Sequence, residues 1–581
     1  MTIMTHRFHL AAVAVGVSLL SGHAVAAVPD PVPTSTMAPP HRFAAGPFLA
    51  GQLAGELGDV GVAASEFQRA LSEDPGNPEI QQQAFLSALL AGRPEAVTLA
   101  STQLASGNAA AILVLAGADA QAGRWDQAVA RFGSLPHEGA TRILQPLLVA
   151  WAQYGGGHPD LALATLQPFT TQGAIRGVYA LHAALIADLS ERQPEARRLF
   201  ALARTTYPAL NLDLGRELAS FSARSGDLDG ARRTLEQMAS PSPELMLALP
   251  GLQRAVAQRQ IRNPLDGMAE TYLALAATER GEDRTDFAST LLRLALDLRP
   301  DFAPAHLLAA EIQAQAGRTD AALAELDAIP AVDPLALMVD LRRANLLLNA
   351  NRIGAALVVA NRLVAQAPTR PEVFVLQGDV LRADKRPADA VLAFQRATEL
   401  VGTPTAANWP LFYDLGIAQD EADQWPAAQA SFQHALTLSP DQPQVLNYLG
   451  YAWTERGQDL AHAITMVRRA VAQDPDDGAF VDSLGWIELR QGNVAEAIRQ
   501  LERACELDSE DATINGHLGD AYKAAGRLRE AAFQWQRALT LNPEPKDAAH
   551  YREGLRALPS ADVPPVGPPA GPPVGPAASP G

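Results

Sequence analysis

The sequence contains a single cysteine, Cys505, among 581 residues. One cysteine excludes a disulfide bond within the chain and also excludes a cluster of thiolates around zinc. Cys505 follows Ala504 in a predicted helix. At such a position we expect a small buried hydrophobic side chain rather than a nucleophile.

Sequence motifs of common catalytic sites are also missing. The chain has no Gly-rich loop ending in Gly-Lys-Ser/Thr, no His-Glu-x-x-His and no Gly-x-Ser-x-Gly. After residue 26, none of the scattered histidines has a second histidine at i+3 or i+4 on a helix. The glycines at 155–157 are interpreted as a turn between helices. We therefore predict no catalytic site, no metal and no cofactor.

Aromatic residues make up only 6% of the chain and charged residues 19%, and the net charge is −18. This composition is typical of Ala- and Leu-rich helices that pack through small residues. An acidic chain repels nucleic acid phosphates and anionic lipid, so we expect no nucleic acid partner. The acidity favours partners that are basic in part.

The N-terminal apolar run is too short to cross a membrane. Residues 10–20 are mostly apolar, follow Arg7 and precede Ala24-Val25-Ala26. This order predicts a signal peptide at 1–26, cleaved after about Ala26, and export to the periplasm. As a helix the run rises about 16 Å, against about 30 Å of hydrocarbon, so we expect no transmembrane segment after cleavage. No cysteine lies near the cleavage site, so any association with the outer membrane is expected to be peripheral.

Two proline-rich segments flank the remaining chain. The segment 27–42 holds five prolines and is interpreted as a linker. The segment 552–581 ends almost entirely in Pro, Gly, Ala and Val, and we expect a disordered, extended tail. The tail is interpreted as a spacer, and the alternative is a ligand for an aromatic-lined groove.

Between these segments the sequence repeats. Pro300, Pro334 and Pro368 lie 34 residues apart, which is the length of a tetratricopeptide (TPR) repeat. Small residues at repeat positions 8 and 20 let two helices approach closely, and a large apolar residue at position 24 fills the gap to the next repeat. The first fit to the pattern is Gly51, Ala63, Phe67, Ala70 and Pro75. We predict an all-α fold, a TPR-type α-solenoid in which helix-turn-helix repeats form a right-handed superhelix.

The repeat phase breaks once. Pro243 and Pro300 lie 57 residues apart, which is not a multiple of the repeat. We predict an N-terminal degenerate array at 43–245, a hinge or extra helix at 246–268, and a C-terminal array at 269–551. A loop insertion is expected at 402–410. The acid pairs Asp476-Asp477 and Glu510-Asp511 fall between repeats, where carboxylates cap helices.

The last repeats place aromatic and polar residues on the predicted inner surface. Helix A positions 2, 5, 9, 12 and 13 line this surface in such repeats. The residues at these positions are Tyr413, Asn447, Tyr451, Glu455, Asp482, Trp486, Arg490, Asp520 and Lys523. Aromatic side chains supply contact area and polar groups fix register, so the set predicts a site for proteins or peptides. Packing between repeats explains Trp486 and Tyr451 equally well, and Arg490 also fits a salt-bridged surface.

Part of this region resembles a known family. The segments Asn447-Tyr-Leu-Gly-Tyr-Ala-Trp, Asp482-Ser-Leu-Gly-Trp and His517-Leu-Gly-Asp, with Trp535, are similar to the C-terminal part of large exported bacterial TPR proteins. The nearest is the adaptor of the periplasmic carboxyl-terminal processing protease. The resemblance is specific at 447–535 and generic elsewhere. It implies an envelope superhelix that recruits the protease and delivers substrates such as cell-wall hydrolases.

Three classes of function follow for the chain. The first is a periplasmic scaffold or adaptor that binds proteins on its concave face. The alternative is a structural TPR component of an exopolysaccharide or outer-membrane export machine. An enzyme would need a site at 246–268, the one long stretch outside the repeat pattern. We predict that the protein is not an enzyme.

Overall fold

The computed structural model describes residues 44–207, 209–278 and 285–559. In these ranges the chain forms 30 α-helices and two short 3₁₀ helices, Leu104–Ser106 and Ala406–Asn408, and no strand. The prediction of an all-α solenoid is confirmed. The predicted signal peptide, the linker 27–42 and the tail from residue 560 lie outside the described ranges. No helix within those ranges combines the length and the apolar character needed to cross a membrane.

The chain divides into two compact units between Arg386 and Pro387. The N-terminal unit contains α1 Ala45–Glu56, α2 Val60–Glu73, α3 Pro78–Leu90, α4 Glu95–Gln103, α5 Ala109–Gln121, α6 Trp125–Gly133, α7 Thr141–Gly155, α8 Pro159–Thr171, α9 Arg176–Leu189, α10 Gln193–Thr206, α11 Leu212–Arg224, α12 Leu228–Ala239, α13 Pro243–Arg254, α14 Pro264–Ala276, α15 Thr285–Leu298, α16 Ala303–Gln315, α17 Thr319–Asp327, α18 Ala336–Asn349, α19 Ile353–Gln366 and α20 Pro371–Ala383. The C-terminal unit contains α21 Pro387–Val401, α22 Trp409–Glu421, α23 Trp425–Leu438, α24 Pro443–Glu455, α25 Leu460–Gln473, α26 Gly478–Arg490, α27 Val494–Leu507, α28 Ala512–Ala524, α29 Leu528–Thr540 and α30 Pro545–Ala557.

In the N-terminal unit the chain folds back on itself. Helix α13 packs on α12 and also on α18, while α14 packs on α7, and α15 packs on α3 and α5. At Gly267 of α14 an added Cβ would lie 2.2 Å from the Trp151 ring of α7, so glycine is what permits the two helices to approach. Side chains from both halves of this unit therefore share one apolar core.

The segment 246–268 lies inside this unit. It contains most of α13, a connecting loop and the start of α14. The division between the compact units falls between Arg386 and Pro387, and the break between two repeat arrays at 246–268 stays a prediction. The observed division depends on contacts between helices that are far apart in the sequence, and the repeat period does not encode such contacts.

The C-terminal unit is a regular stack of helix pairs. Helix A of each repeat contacts helix A of the next, in the order α24, α26, α28 and α30. Each helix B packs between two A helices, as α25 does between α24 and α26. The A helices thus form one layer, and their exposed side chains share one face of the unit. The insertion predicted at 402–410 is present as the 3₁₀ turn Ala406–Asn408.

Acidic residues cap the A helices of this unit, as predicted. Asp477 accepts hydrogen bonds from the backbone amides of Ala479 and Phe480, both at 3.0 Å. Asp511 accepts from Thr513 at 2.6 Å and from Ile514 at 3.0 Å. These carboxylates satisfy amide groups that have no partner within the first turn of the helix.

We expect Asp477→Ala to lower the free energy of unfolding of the C-terminal unit by about 1 kcal/mol, because two amides of α26 lose their acceptor. Asp477→Asn keeps the acceptor and should cost only about a few tenths of that amount. Urea unfolding followed by circular dichroism measures both changes. The matched control is Asp476→Ala, whose side chain is 81% exposed. An equal loss in the control variant would contradict the capping role.

Candidate functional site

Three A helices of the C-terminal unit meet around His517 of α28. The imidazole is 7% exposed, and its Nδ1 lies 3.0 Å from each carboxylate oxygen of Asp482 on α26. The ring stacks on Trp486 of α26, with centroids 4.0 Å apart and planes 15° apart. Tyr451 of α24 contacts the same imidazole with centroids 6.2 Å apart. Three predicted site residues therefore surround one side chain.

Glu455 and Arg490 form the rim of this group. The Trp486 Nε1 donates a hydrogen bond to Glu455 across the gap between α26 and α24, at 2.8 Å. Arg490 lies 3.7 Å from the same carboxylate, and its guanidinium carbon is 5.7 Å from the Trp486 ring centroid. The Glu455 and Arg490 side chains remain 35% and 40% exposed, so the pair is accessible to a partner.

Asp520 and Lys523 belong to a neighbouring group on α28. The Trp535 Nε1 of α29 donates to Asp520 at 3.1 Å, and His550 Nε2 of α30 lies 2.9 Å from the same carboxylate. The Lys523 ammonium lies 5.5 Å from the Trp535 ring centroid. Asp520 thus holds three helices together, while Lys523 is exposed.

The two remaining predicted residues differ in their surroundings. The Tyr413 ring lies 6.0 Å from Phe432 and from Tyr448, centroid to centroid, in an aromatic cluster. Asn447 is 8% exposed, and its Oδ1 has no hydrogen-bond partner among the described residues. Tyr413 therefore contributes to packing within the unit, and Asn447 supplies a free acceptor.

Carboxylates dominate the electrostatics of the site. Burial lowers the pKa of His517, but the carboxylates of Asp482, Asp520 and Glu455 together outweigh burial, and the net pKa is raised above the ordinary value. Burial raises the pKa of the Tyr451 hydroxyl well above its ordinary value, and the nearby Glu455 and Asp482 raise it further. Both effects describe a pocket that is partly shielded from water and negative in potential.

His517 is not among the predicted site residues. His517 occupies repeat position 6, which is not one of the positions taken to line the inner face. At position 5, Gly516 has no side chain, and an added Cβ would lie 1.9 Å from the Tyr551 hydroxyl of α30. The sequence does contain a signal for this residue. Position 5 of the repeat is a glycine without a side chain, and the next position is a histidine.

Cys505 and the triple glycine have the structural roles that were predicted. Cys505 is half-buried against apolar side chains, and burial raises the pKa of its thiol to about 12. The glycines at 155–157 end α7, and Gly157 has a φ of +83°, as a turn requires. Within the described ranges, no three His, Cys, Asp or Glu side chains are grouped in a way that could hold a metal ion.

Comparison with known families identifies the repeats. Two family profiles described as tetratricopeptide repeat match the chain, one at residues 341–406, 413–478 and 483–549 and the other at 279–343. These segments extend from α15 to α29, apart from residues 407–412 and 479–482. The matched segments include eight of the nine predicted site residues, and Asp482 lies just before the segment that begins at residue 483.

The chain is also similar to individual proteins. It is 26% identical over 162 residues to the TPR repeat-containing protein PA4667 of Pseudomonas aeruginosa, and the match covers 27% of this chain and about a quarter, 26%, of that protein. Among solved structures, it is similar to the Cut9-Hcn1 hetero-tetramer of the APC/C, with a TM-score of 0.37, 15% identity and coverage of 88% and 96% of the two chains. A tetratricopeptide repeat protein of Parabacteroides merdae has a TM-score of 0.37, 12% identity and coverage of 44% and 97%.

Repeats of this type stack their helix pairs into extended surfaces that typically bind other proteins without catalysis. The family profiles, the helix pairs and the small residues between them agree on this architecture. Tetratricopeptide repeats are thus present between residues 279 and 549 of the chain.

Proposed function

We propose that the protein is a scaffold that binds a segment of a partner protein on the A-helix face of its C-terminal unit. One observation carries this proposal. Tyr451, Asp482 and Trp486 come from adjacent repeats and converge on His517. Half-exposed aromatic side chains beside fixed polar groups are the usual anchors of protein interfaces.

We further propose that the protein is exported and acts in the cell envelope, where it delivers envelope or cell-wall enzymes to a processing protease. The resemblance of 447–535 to protease adaptors supports this role, and the basic and apolar order of residues 7–26 supports export. The residues that carry the resemblance, Asp482, Trp486 and His517, are also those that meet in space. A role of these residues in binding would explain why the two sets coincide.

The test is affinity capture with the chain from residue 27 onward, immobilised and exposed to an envelope extract. We expect recovery of a processing protease or cell-wall enzymes. Trp486→Ala removes a central aromatic anchor and should weaken capture by about 30-fold, which corresponds to roughly 2 kcal/mol. Dissociation constants for each recovered partner measure the loss, and Arg490→Ala should have a smaller effect because its side chain is at the rim.

Trp425→Ala is the matched control. Trp425 lies on helix B, is also half-exposed, and donates a hydrogen bond from Nε1 to Gln458 at 3.1 Å. Equal loss of binding in both tryptophan variants would contradict a site on the A-helix face.

Recovery of an exopolysaccharide or outer-membrane export complex would replace the adaptor role with the structural one. N-terminal sequencing of the envelope form should begin at about residue 27 if the chain is exported and cleaved.

A further inference from the structure

The face around Tyr451 carries more carboxylates than cations. Burial raises the pKa of the Tyr451 hydroxyl, and the carboxylates of Glu455, Asp482 and Asp547 raise it further. Arg490 and Lys523 each contact an aromatic ring next to this group, and the imidazoles of His517 and His550 lie against Asp482 and Asp520. The carboxylates that surround Tyr451 and His517 are Glu455, Asp482, Asp520 and Asp547. The face therefore attracts a positive charge.

An acceptor without a donor lies on the same face. Asn447 and Tyr451 are four residues apart on α24, so their side chains are neighbours on one side of the helix. The Oδ1 atom of Asn447 is buried, and no described residue donates a hydrogen bond to it. An unfilled buried acceptor costs about 1 to 3 kcal/mol, which a donor from a bound molecule would offset.

The aromatic side chains provide a surface for a flat cation. The guanidinium of Arg490 lies over the Trp486 ring at 5.7 Å from the centroid, which shows that the ring attracts such a group in this setting. Arg490 is only loosely held, since its distance to Glu455 is 3.7 Å and its side chain is 40% exposed. A second guanidinium or ammonium group can therefore take the same neighbourhood of the ring and the carboxylate.

We propose that this face binds an arginine or lysine side chain of an extended partner segment, next to Tyr451, Trp486 and Glu455. The inference deepens the proposed function and rests on it. Glu455 and Asp482 supply negative charge, Trp486 supplies a ring face, and Asn447 supplies an acceptor for one N–H. The partner segment is thus basic at the position that enters this site.

The experiment uses four immobilised peptide libraries, each of 11 residues, which reach at most about 40 Å when fully extended. The central residue is fixed as Arg, Lys, Gln or Glu, and the other positions are randomised. Binding of the full chain is compared with that of Glu455→Gln and Asp482→Asn. Glu455→Gln keeps an acceptor for the Trp486 Nε1 and removes only charge. The matched control is Glu506→Gln on α27, a helix B residue that is also exposed.

We expect the Arg and Lys libraries to bind at least about 10-fold more strongly than the Gln library, and the Glu library to bind least. Glu455→Gln should reduce the preference about 5-fold, while Glu506→Gln leaves it unchanged. A preference that persists in Glu455→Gln, or falls equally in the control, would overturn the inference by assigning the effect to overall charge. If the chain binds the libraries without preference for a basic residue, the inference is overturned and the proposed function stands. The same conclusion follows if the chain captures a partner protein but binds none of the libraries.

Discussion

Trp151→Ala should lower the free energy of unfolding of the N-terminal unit by about 3 to 5 kcal/mol. The Trp151 side chain is fully buried, and its Nε1 donates a hydrogen bond to His182 Nδ1 at 3.0 Å. Burial lowers the pKa of His182 to about 3, so the imidazole is neutral and accepts this bond. The substitution leaves a large cavity between α7 and α14 and an unpaired buried nitrogen.

Chemical unfolding followed by hydrogen exchange of the N-terminal unit measures this loss. The control is Val332→Ala, since Val332 is 92% exposed, and the stability of this variant should stay within about 0.5 kcal/mol of the wild type.

Gly267→Ala places a Cβ against the Trp151 ring and should itself lower the free energy of unfolding by about 1 to 3 kcal/mol. In the double variant Gly267→Ala should cause no further loss of stability, because the cavity left by Trp151→Ala accepts the added methyl group. Additive losses would show that the two residues do not pack against each other.

The contact between Trp151 and Gly267 also marks the limit of what the repeat pattern predicts. The pattern describes how helices A and B of one repeat pack, as Gly519 does against Trp535, where an added Cβ would lie 2.5 Å from the indole. Such pairs recur every 34 residues or so and are visible in the sequence. Trp151 and Gly267 lie in α7 and α14, and their meeting depends on how the intervening helices curve. No local spacing encodes that curvature, so the fold-back and the division at residue 386 were not predicted.

The candidate site was predicted in part for the same reason. Positions 9 and 13 of helix A place Tyr451, Glu455 and Trp486 on one face, because the repeat pattern sets which side of the helix is covered. The pattern does not say which neighbour fills the space between these side chains. His517 at position 6 contacts them, whereas the Tyr551 ring of α30 occupies the space beside Gly516 at position 5. Whether these residues bind a partner stays a prediction.

In the N-terminal unit we expect Glu217→Gln to stabilise the protein at neutral and alkaline pH. The Glu217 side chain on α11 is 4% exposed, and no described residue donates a hydrogen bond to it. Burial raises its pKa from 4.5 to about 7, although Arg216 and Arg224 oppose the shift. Because burial outweighs these arginines, the charged carboxylate destabilises the folded state.

The direction of the pH dependence follows from this raised pKa. The folded chain binds the proton more tightly than the unfolded chain, so stability is greatest below pH 4.5 and falls as the pH rises towards 7. A shift of this size corresponds to about 3 kcal/mol at 1.36 kcal/mol per pKa unit. Glu217→Gln should therefore match the wild type near pH 4.5 and exceed its stability by about 3 kcal/mol at pH 8.

Unfolding midpoints measured between pH 4.5 and pH 8 test this expectation, with the exposed Glu138→Gln as the matched control. The control should follow the wild-type curve at every pH. The Glu217 carboxylate also raises the pKa of the buried Glu270 on α14, so removing its charge eases ionisation of that second acid and adds to the gain at high pH. A Glu217→Gln variant less stable than the wild type at pH 8 would show instead that the arginines around α11 depend on this carboxylate as an ion-pair partner.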